Sequence, residues 1–238
     1  MKKIKIFFVL ALLVSAFPGM AQTADELIDK HLAAIGGKEK LQAINSVITE
    51  GTMNVQGAVV NIVSKTLQNK GTRQDISVMG MNGYTLFTPT AGWSYMPWAG
   101  QSVAEAMPDE MVKMAADQLD AQGALVGYKA KGHKVELAGQ EEVDGKPAYK
   151  LKLTYTSGKV ETMYIDAATY YNVKTVTTQN VGGQNVEGTT YYSDFQKRPD
   201  GYVLPMKINM PTGMGMNADF AISKISVNEP IDESIFKP

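Results

Sequence analysis

The sequence predicts a mainly β chain of the α+β class, one antiparallel sheet of about ten or eleven strands with an N-terminal helix and a central helical segment. First, apolar and polar residues alternate with period two through most of the chain after Ser46. Tyr149, Leu151, Leu153 and Tyr155 fall on one face against Lys150, Lys152 and Thr154 on the other, the pattern of a sheet covered on one side. Second, these stretches are divided by Asp144-Gly145, Ser157-Gly158, Gly182-Gly183 and Asp200-Gly201, pairs suited to positive φ in short turns. Third, the spacing becomes helical in only two places.

The first helical stretch opens at Thr23-Ala24-Asp25-Glu26, a capping box in which hydroxyl and carboxylate each satisfy the other residue's amide. Leu27, Ile28, Leu32 and Ile35 then recur on one face, Gly36-Gly37 supplies a left-handed stop, and Lys38 to Ile44 adds a short second turn. Strands follow from Val47 to Val55, around Val59 to Val63, over Thr72 to Val78, Tyr84 to Thr88 and Gly92 to Met96. Asn82-Gly83 suits a tight hairpin turn. Pro97 ends this run. Ser102-Val103-Ala104-Glu105 offers a second capping box, and Pro108-Asp109-Glu110 a restart one turn later. Met107, Met111, Met114, Ala115 and Leu119 share one face of the helix that either would begin. Strands resume at His133. In the last of them the apolar phase moves from Phe220 and Ile222 to Ile225 and Val227, an odd step that predicts a bulge near Ser223.

Composition narrows the function. Residues 1–21 fit a secretory leader, with Lys2, Lys3 and Lys5, an apolar run from Ile6 to Val14, and Gly19-Met20-Ala21 as the cleavage site, so export and cleavage before Gln22 are expected. Residues 22–238 contain no linker and read as a single domain. Three of the 23 basic residues lie in the leader, against 24 acidic residues, so the formal net charge moves from −1 to about −4. With only Arg73 and Arg198 as arginines and no basic stripe, nucleic acid is not the expected partner. The absence of cysteine excludes disulfides, thiolate metal sites, a cysteine nucleophile and lipid attachment through cysteine. No stretch is long enough for a spanning helix.

The resemblance that best fits this order of elements rests on Tyr164-Ile165-Asp166 followed by Asn172-Val173-Lys174, on Tyr192-Ser193-Asp194-Phe195, on Leu204-Pro205, and on the ending Val227-Asn228-Glu229-Pro230-Ile231-Asp232-Glu233-Ser234-Ile235-Phe236. With an N-terminal helix closed by a Gly pair and a central helical insertion, the chain resembles the LolA-like periplasmic family, which sorts and carries outer-membrane lipoproteins. The match covers most of residues 22–238 and is strongest from about residue 133. It implies a β half-barrel with a helical lid and a non-catalytic carrier or chaperone role, holding lipid acyl chains or lipoproteins in an apolar cavity between sheet and helices. Methionine is the deformable lining residue for such a cavity. Met96, Met107, Met111, Met114, Met206, Met210, Met214 and Met216 would supply it, with Trp93 and Trp98 at a rim. Such carriers use a buried strand arginine, for which Arg73 is the candidate here, since Arg198 lies beside Pro199 and a turn.

Each of these readings has a plainer counterpart. The methionine stripe fits ordinary helix-on-sheet core as well as a cavity. His31 lies on the apolar helix face and His133 opens a strand, with no metal-ligand spacing between them, so neither a metal nor another cofactor is expected. Ser94, Ser157 and Ser193 lack the Gly-x-Ser-x-Gly setting of an activated serine, which leaves an uncharacterised hydrolase as a minor alternative. Asp166 and Asp194 read as turn closures rather than a catalytic pair, and Gly213-Met214-Gly215 lacks the spacing and lysine of a phosphate loop. The main alternative to a carrier is an envelope protein–protein interaction or sensor module on the same fold.

Overall fold

The computed structural model describes residues 22–181, 183–212 and 216–238. The expected leader, Gly182 of the Gly182-Gly183 turn, and Gly213-Met214-Gly215 lie outside the described residues. Six strands come first: β1 (Ser46–Val55), β2 (Ala58–Leu67), β3 (Gly71–Val78), β4 (Met81–Phe87), β5 (Gly92–Tyr95) and β6 (Glu105–Ala106). Seven more follow: β7 (Lys134–Val143), β8 (Lys146–Thr154), β9 (Val160–Asp166), β10 (Asn172–Val181), β11 (Gln184–Lys197), β12 (Val203–Pro211) and β13 (Asn217–Val227). All belong to one antiparallel sheet in the order β6-β5-β4-β3-β2-β1-β13-β12-β11-β10-β9-β8-β7. Each set is a meander, and the two are joined only where β1 pairs with β13. β6 and β7 stand at opposite edges, so the sheet is not closed. The thirteen strands exceed the expected ten or eleven partly because β6, only two residues long, lies where the spacing suggested helix.

The helices are α1 (Ala24–Ala34), α2 (Lys38–Gln42) and α3 (Asp109–Ala115), with 3-10 turns at Pro97–Ala99, Ala116–Leu119 and Glu233–Phe236. Both halves of the predicted capping box form at α1: Thr23 Oγ1 accepts from the Glu26 amide at 3.2 Å, and Glu26 Oε2 accepts from the Thr23 amide at 3.0 Å. Leu27, Ile28 and Leu32 of its buried face pack with Leu41, Ile44, Leu125 and Val126 on Leu151 and Ile165 of the sheet and on Tyr202 just before β12. Leu27, Leu151 and Ile165 are completely buried, each contributing about 1.5–3 kcal/mol through removal from water.

Three local expectations are corrected. Ser102 to Glu105 does not start a helix; the Glu105 carboxylate accepts from Gln101 Nε2 at 2.9 Å, and α3 begins one turn later, behind Pro108. The helix then buries Val112 and Ala115 and leaves Met111 49% exposed, because Val112 seats over Gly92 of β5. Asn82-Gly83 is not the hairpin turn. That turn is Met79-Gly80, with φ of 51° and 79°, and Gly83 lies inside β4 where a Cβ would stand 2.7 Å from the Trp98 ring. Its glycine serves close approach, a use indistinguishable by composition from a turn. Asp194 lies within β11 rather than at a strand end, in a left-handed conformation with φ of 53°. The bulge is where phase places it: Glu50 pairs with Lys224 and Gly51 with Ile222, skipping Ser223, whose hydroxyl donates to the Glu50 carbonyl at 3.1 Å.

Candidate functional site

Strand alternation and register divide the sheet into two faces. The helix-bearing face carries Val47, Leu151 and Ile165 beneath α1 and α2. Following the pairings sideways, the same face presents Met53, Val60 and Ile62, then Phe220, Ile208 and Met210. No helix residue belongs to this second apolar group, in which Met53, Ala218 and Phe220 are buried and Val55, Val60, Ile62, Ile208, Met210 and Ile222 pack around them. Beside it lies an open recess of about 490 Å³, lined by Thr177, Gln179, Val186, Glu187, Gly188, Thr190, Tyr192, Ile208, Met210 and Pro211. Ile208 and Met210 belong to both, so recess and apolar floor are continuous.

The space beneath the 3-10 turn after α3 is of another kind. It measures about 140 Å³ and is lined by Ser64, Thr66, Thr72, Gln74, Thr85, Phe87 and Gln118, a set able to hold hydrogen-bonding groups and too small for a long acyl chain. The larger recess lies beside the lid rather than beneath it.

A charged cluster pins this lid to the sheet. Lys159 Nζ stands 3.1 Å from both Asp117 Oδ2 and Glu161 Oε1, all three side chains less than a fifth exposed. The Tyr155 hydroxyl donates to Glu161 Oε2 at 2.8 Å, its ring lies 3.9 Å beneath the ammonium, and His133 packs against it at 4.7 Å. Burial, and then the Glu161 charge, push the Tyr155 phenol far above its ordinary range, so it stays a donor.

The expected cavity residues scatter. Met206 and Met210 lie on β12 with the helix-bearing side chains, and Trp98 packs over Gly83 on that face at the same end of the sheet. Met96 sits half-buried in the loop entering this turn, its amide donating to Gln101 Oε1 at 2.6 Å. Met107 is half-buried beside β5, where its amide donates to the Gly92 carbonyl at 2.8 Å. Met114 borders a separate recess of about 150 Å³ with Ser157, Lys159 and Gln179, and Met111 points to solvent. Trp93 pairs with Leu86 and alternates with Ser94, which places it on the opposite face. Met214 falls outside the described residues. Arg73 is on the opposite face too: its Nε donates to Asp75 at 2.7 Å, its Nη1 to the Ile235 carbonyl at 3.0 Å, and its guanidinium covers the Tyr84 ring at 4.1 Å. It anchors the C-terminal 3-10 turn, whose Phe236 fills the space left by Gly71. Phe220, Met53, Val60 and Ile62 were missed, although their period-two spacing places them on one face; what sequence could not supply was the cross-strand register.

The polar candidates are structural. Asp166 Oδ1 accepts from the Ala168 and Thr169 amides at 3.1 and 2.7 Å and from the Thr169 hydroxyl at 2.8 Å. Burial raises its pKa, but these donors outweigh burial and hold the carboxyl below its ordinary value. His31 Nδ1 lies 2.7 Å from the Tyr170 carbonyl, and burial pushes its pKa down despite that bond. The imidazole is neutral and donates.

No protein-family model and no curated protein matches this sequence. Solved structures do match in shape. A LolA superfamily protein from Nitrosomonas europaea superimposes with a TM-score of 0.59 at 15% identity, over 92% of this chain and 99% of that one. A DUF1329 family protein from Desulfovibrio piger gives 0.56 at 14% identity, over 90% and 96%. A domain assigned to outer membrane lipoprotein sorting from Vibrio parahaemolyticus gives 0.53 at 15% identity, over 89% and 94%. With its thirteen-stranded unclosed antiparallel sheet and its helices on one face, the chain has the LolA-like half-barrel fold.

Proposed function

We propose that residues 22–238 act as one domain, a non-catalytic periplasmic carrier or chaperone that shields lipid acyl chains or the lipid part of a lipoprotein on the helix-bearing face. The observation that carries this reading is the apolar floor around Met53, Phe220 and Met210, continuous with a recess of about 490 Å³ that the helices leave uncovered. Each CH₂ taken from water contributes about 0.8 kcal/mol, so a long chain needs an apolar, deformable surface more than specific polar contacts. Among the described residues no helix is long and apolar enough to cross a membrane. The LolA-like fold is consistent with this use and does not by itself assign it.

Organic extraction of the purified protein followed by mass spectrometry is expected to yield acyl species. A fluorescent fatty acid should bind, and Met210→Asp or Phe220→Asp should reduce its affinity by tenfold or more. Protein that purifies empty and takes up no probe would remove the proposal.

A second reading, docking of an envelope protein, is favoured by one observation on the opposite face. There an open groove of about 620 Å³ is lined by Tyr171, Tyr191, Phe195, Lys146 and Lys207 among others, with the Tyr171 and Phe195 rings stacked at 4.7 Å. Phe195→Asp is expected to leave acyl binding intact, which separates the two faces.

A further inference from the structure

The connections between strands fall at two ends of the sheet, and the ends differ in charge. At one lie the turns containing Lys70, Asp144, Arg198 and Asp200, with Lys146 at the start of β8, and the C-terminal segment with Glu233. At the other lie Gln56-Gly57, Met79-Gly80, the Met96 to Ala104 connection, and the turns that join β10 to β11 and β12 to β13. From β5 across to β10 in sheet order, none of these connections contains a charged residue. Charge comes near this end on the strands themselves, at Glu105, whose carboxylate accepts from Gln101 at 2.9 Å, at Glu187 and at Asp219, and on the β7 to β9 side at Lys134 and at Lys159, whose ammonium is paired with Asp117 and Glu161.

Exposed apolar side chains are segregated the same way. Met79 is 80% exposed, Val103 66%, Val59 57%, Met216 52%, Val186 48% and Met81 37%, all at the end with the uncharged connections; among the described residues only Met111 and Tyr191 of the large exposed hydrophobics lie elsewhere. Met79 is also a poor choice locally. It occupies the first central position of a two-residue hairpin turn with φ of 51°, where Asn, Asp or Gly is the usual occupant. A flexible apolar side chain projecting from a backbone position that disfavours it is not explained by folding.

We propose that this end of the sheet docks on a lipid bilayer, with Met79, Met216 and their neighbours entering the interfacial layer. The exposed side chains stand on several connections along this end of the strands. A fluid interface conforms to separated tips, whereas a folded protein would have to match each of them. With no cation on these connections, anionic lipid has no advantage over zwitterionic lipid, and the attraction is one of apolar burial, little affected by salt. Trp98, half-buried over Gly83 at the same end, suits the headgroup level. The apolar floor of the helix-bearing face runs to this end through Met53, Val60 and Met210. The inference goes beyond the carrier reading and does not depend on it, since adsorption requires no cargo.

The test is flotation of the purified, lipid-extracted protein with phosphatidylcholine vesicles at low and high salt. The protein is expected to float at both, and the Met79→Asp/Met216→Asp variant to lose at least tenfold of the bound fraction. Met111→Asp, which removes an exposed methionine elsewhere, should float like the parent. Asp tolerates left-handed backbone better than Met, so the variant should keep its circular dichroism and melting behaviour. Protein that stays below the vesicles, a double variant that floats normally, or equal damage from Met111→Asp would overturn the proposal. So would a dimer in vesicle-free sedimentation that the double variant dissolves, since the end would then belong to a second copy. A failure here leaves acyl extraction and the Met210→Asp result untouched, so the two proposals fail separately.

Discussion

At the scale of single residues, the most informative positions have a local role that conflicts with a simple reading of their type. Gly83 resembles half of an Asn-Gly turn and instead makes room for Trp98. Gly83→Ala places a methyl 2.7 Å from that ring and closer still to the Tyr95 carbonyl, and is expected to cost about 1–3 kcal/mol in urea unfolding and to alter tryptophan emission. His31 offers a measurement in pH. The unfolded imidazole takes up a proton near pH ~6.5, while the buried one, donating to Tyr170, resists it. Stability is therefore full above that pH and falls as the solution is acidified toward the lowered folded pKa. The aspartates held by donors, such as Asp166, contribute pH dependence only in the more acidic range below their ordinary value of 3.8. Urea midpoints at pH 7.5 and 5.5 are expected to differ for the parent. His31→Gln should lower both and narrow the gap, leaving the share due to His133, which burial also shifts down.

Elements were legible in proportion to how local their cause is. The α1 capping box and the Ser223 bulge were readable because a side chain three residues away, or a change of phase within one strand, decides them. Of the two starts read for α3, the one at Ser102 fails because Gln101 takes the Glu105 carboxylate and the one behind Pro108 forms; Ala115 and Leu119 are buried as read, while Met111 yields to Val112 because a glycine on β5 sets where that side chain can sit. The apolar floor was missed because Met53, Ile208 and Phe220 meet only through cross-strand register. Nothing in sequence spacing showed that Lys159, Asp117 and Glu161 form the contact between lid and sheet. Lys159→Met leaves two carboxylates facing one another with little water, and is expected to cost about 2–4 kcal/mol in chemical unfolding, somewhat less than a fully buried pair would lose. Adding Glu161→Gln to Lys159→Met should recover part of that loss, because the surviving carboxylate then has a neutral neighbour.

For the molecule as a whole, two sequence-local meanders depend on one remote pairing, Val47 with Val227 through Met53 with Phe220. That seam must form between distant parts of the chain, which makes it the slow step expected of high contact order. It also divides the labour of the fold: the helices cover the Val47–Val227 end of the seam and leave its Met53–Phe220 end bare.

The segment from Met107 to His133 starts at one free edge of the sheet, β6, and finishes at the other, β7, crossing the helix-bearing face on the way. Mechanically it is a string across a bow. The sheet can flatten or curl only as far as this string has slack, and near mid-span it is fastened to both meanders: Asp117 to the Lys159 ammonium before β9, and Leu119, Asp120 and Ala121 to Asn69 and Gln68 after β2. Any guest that spreads the two meanders must therefore stretch the string or unfasten one of these contacts, so the width of the trough and the integrity of the two fastenings are one variable.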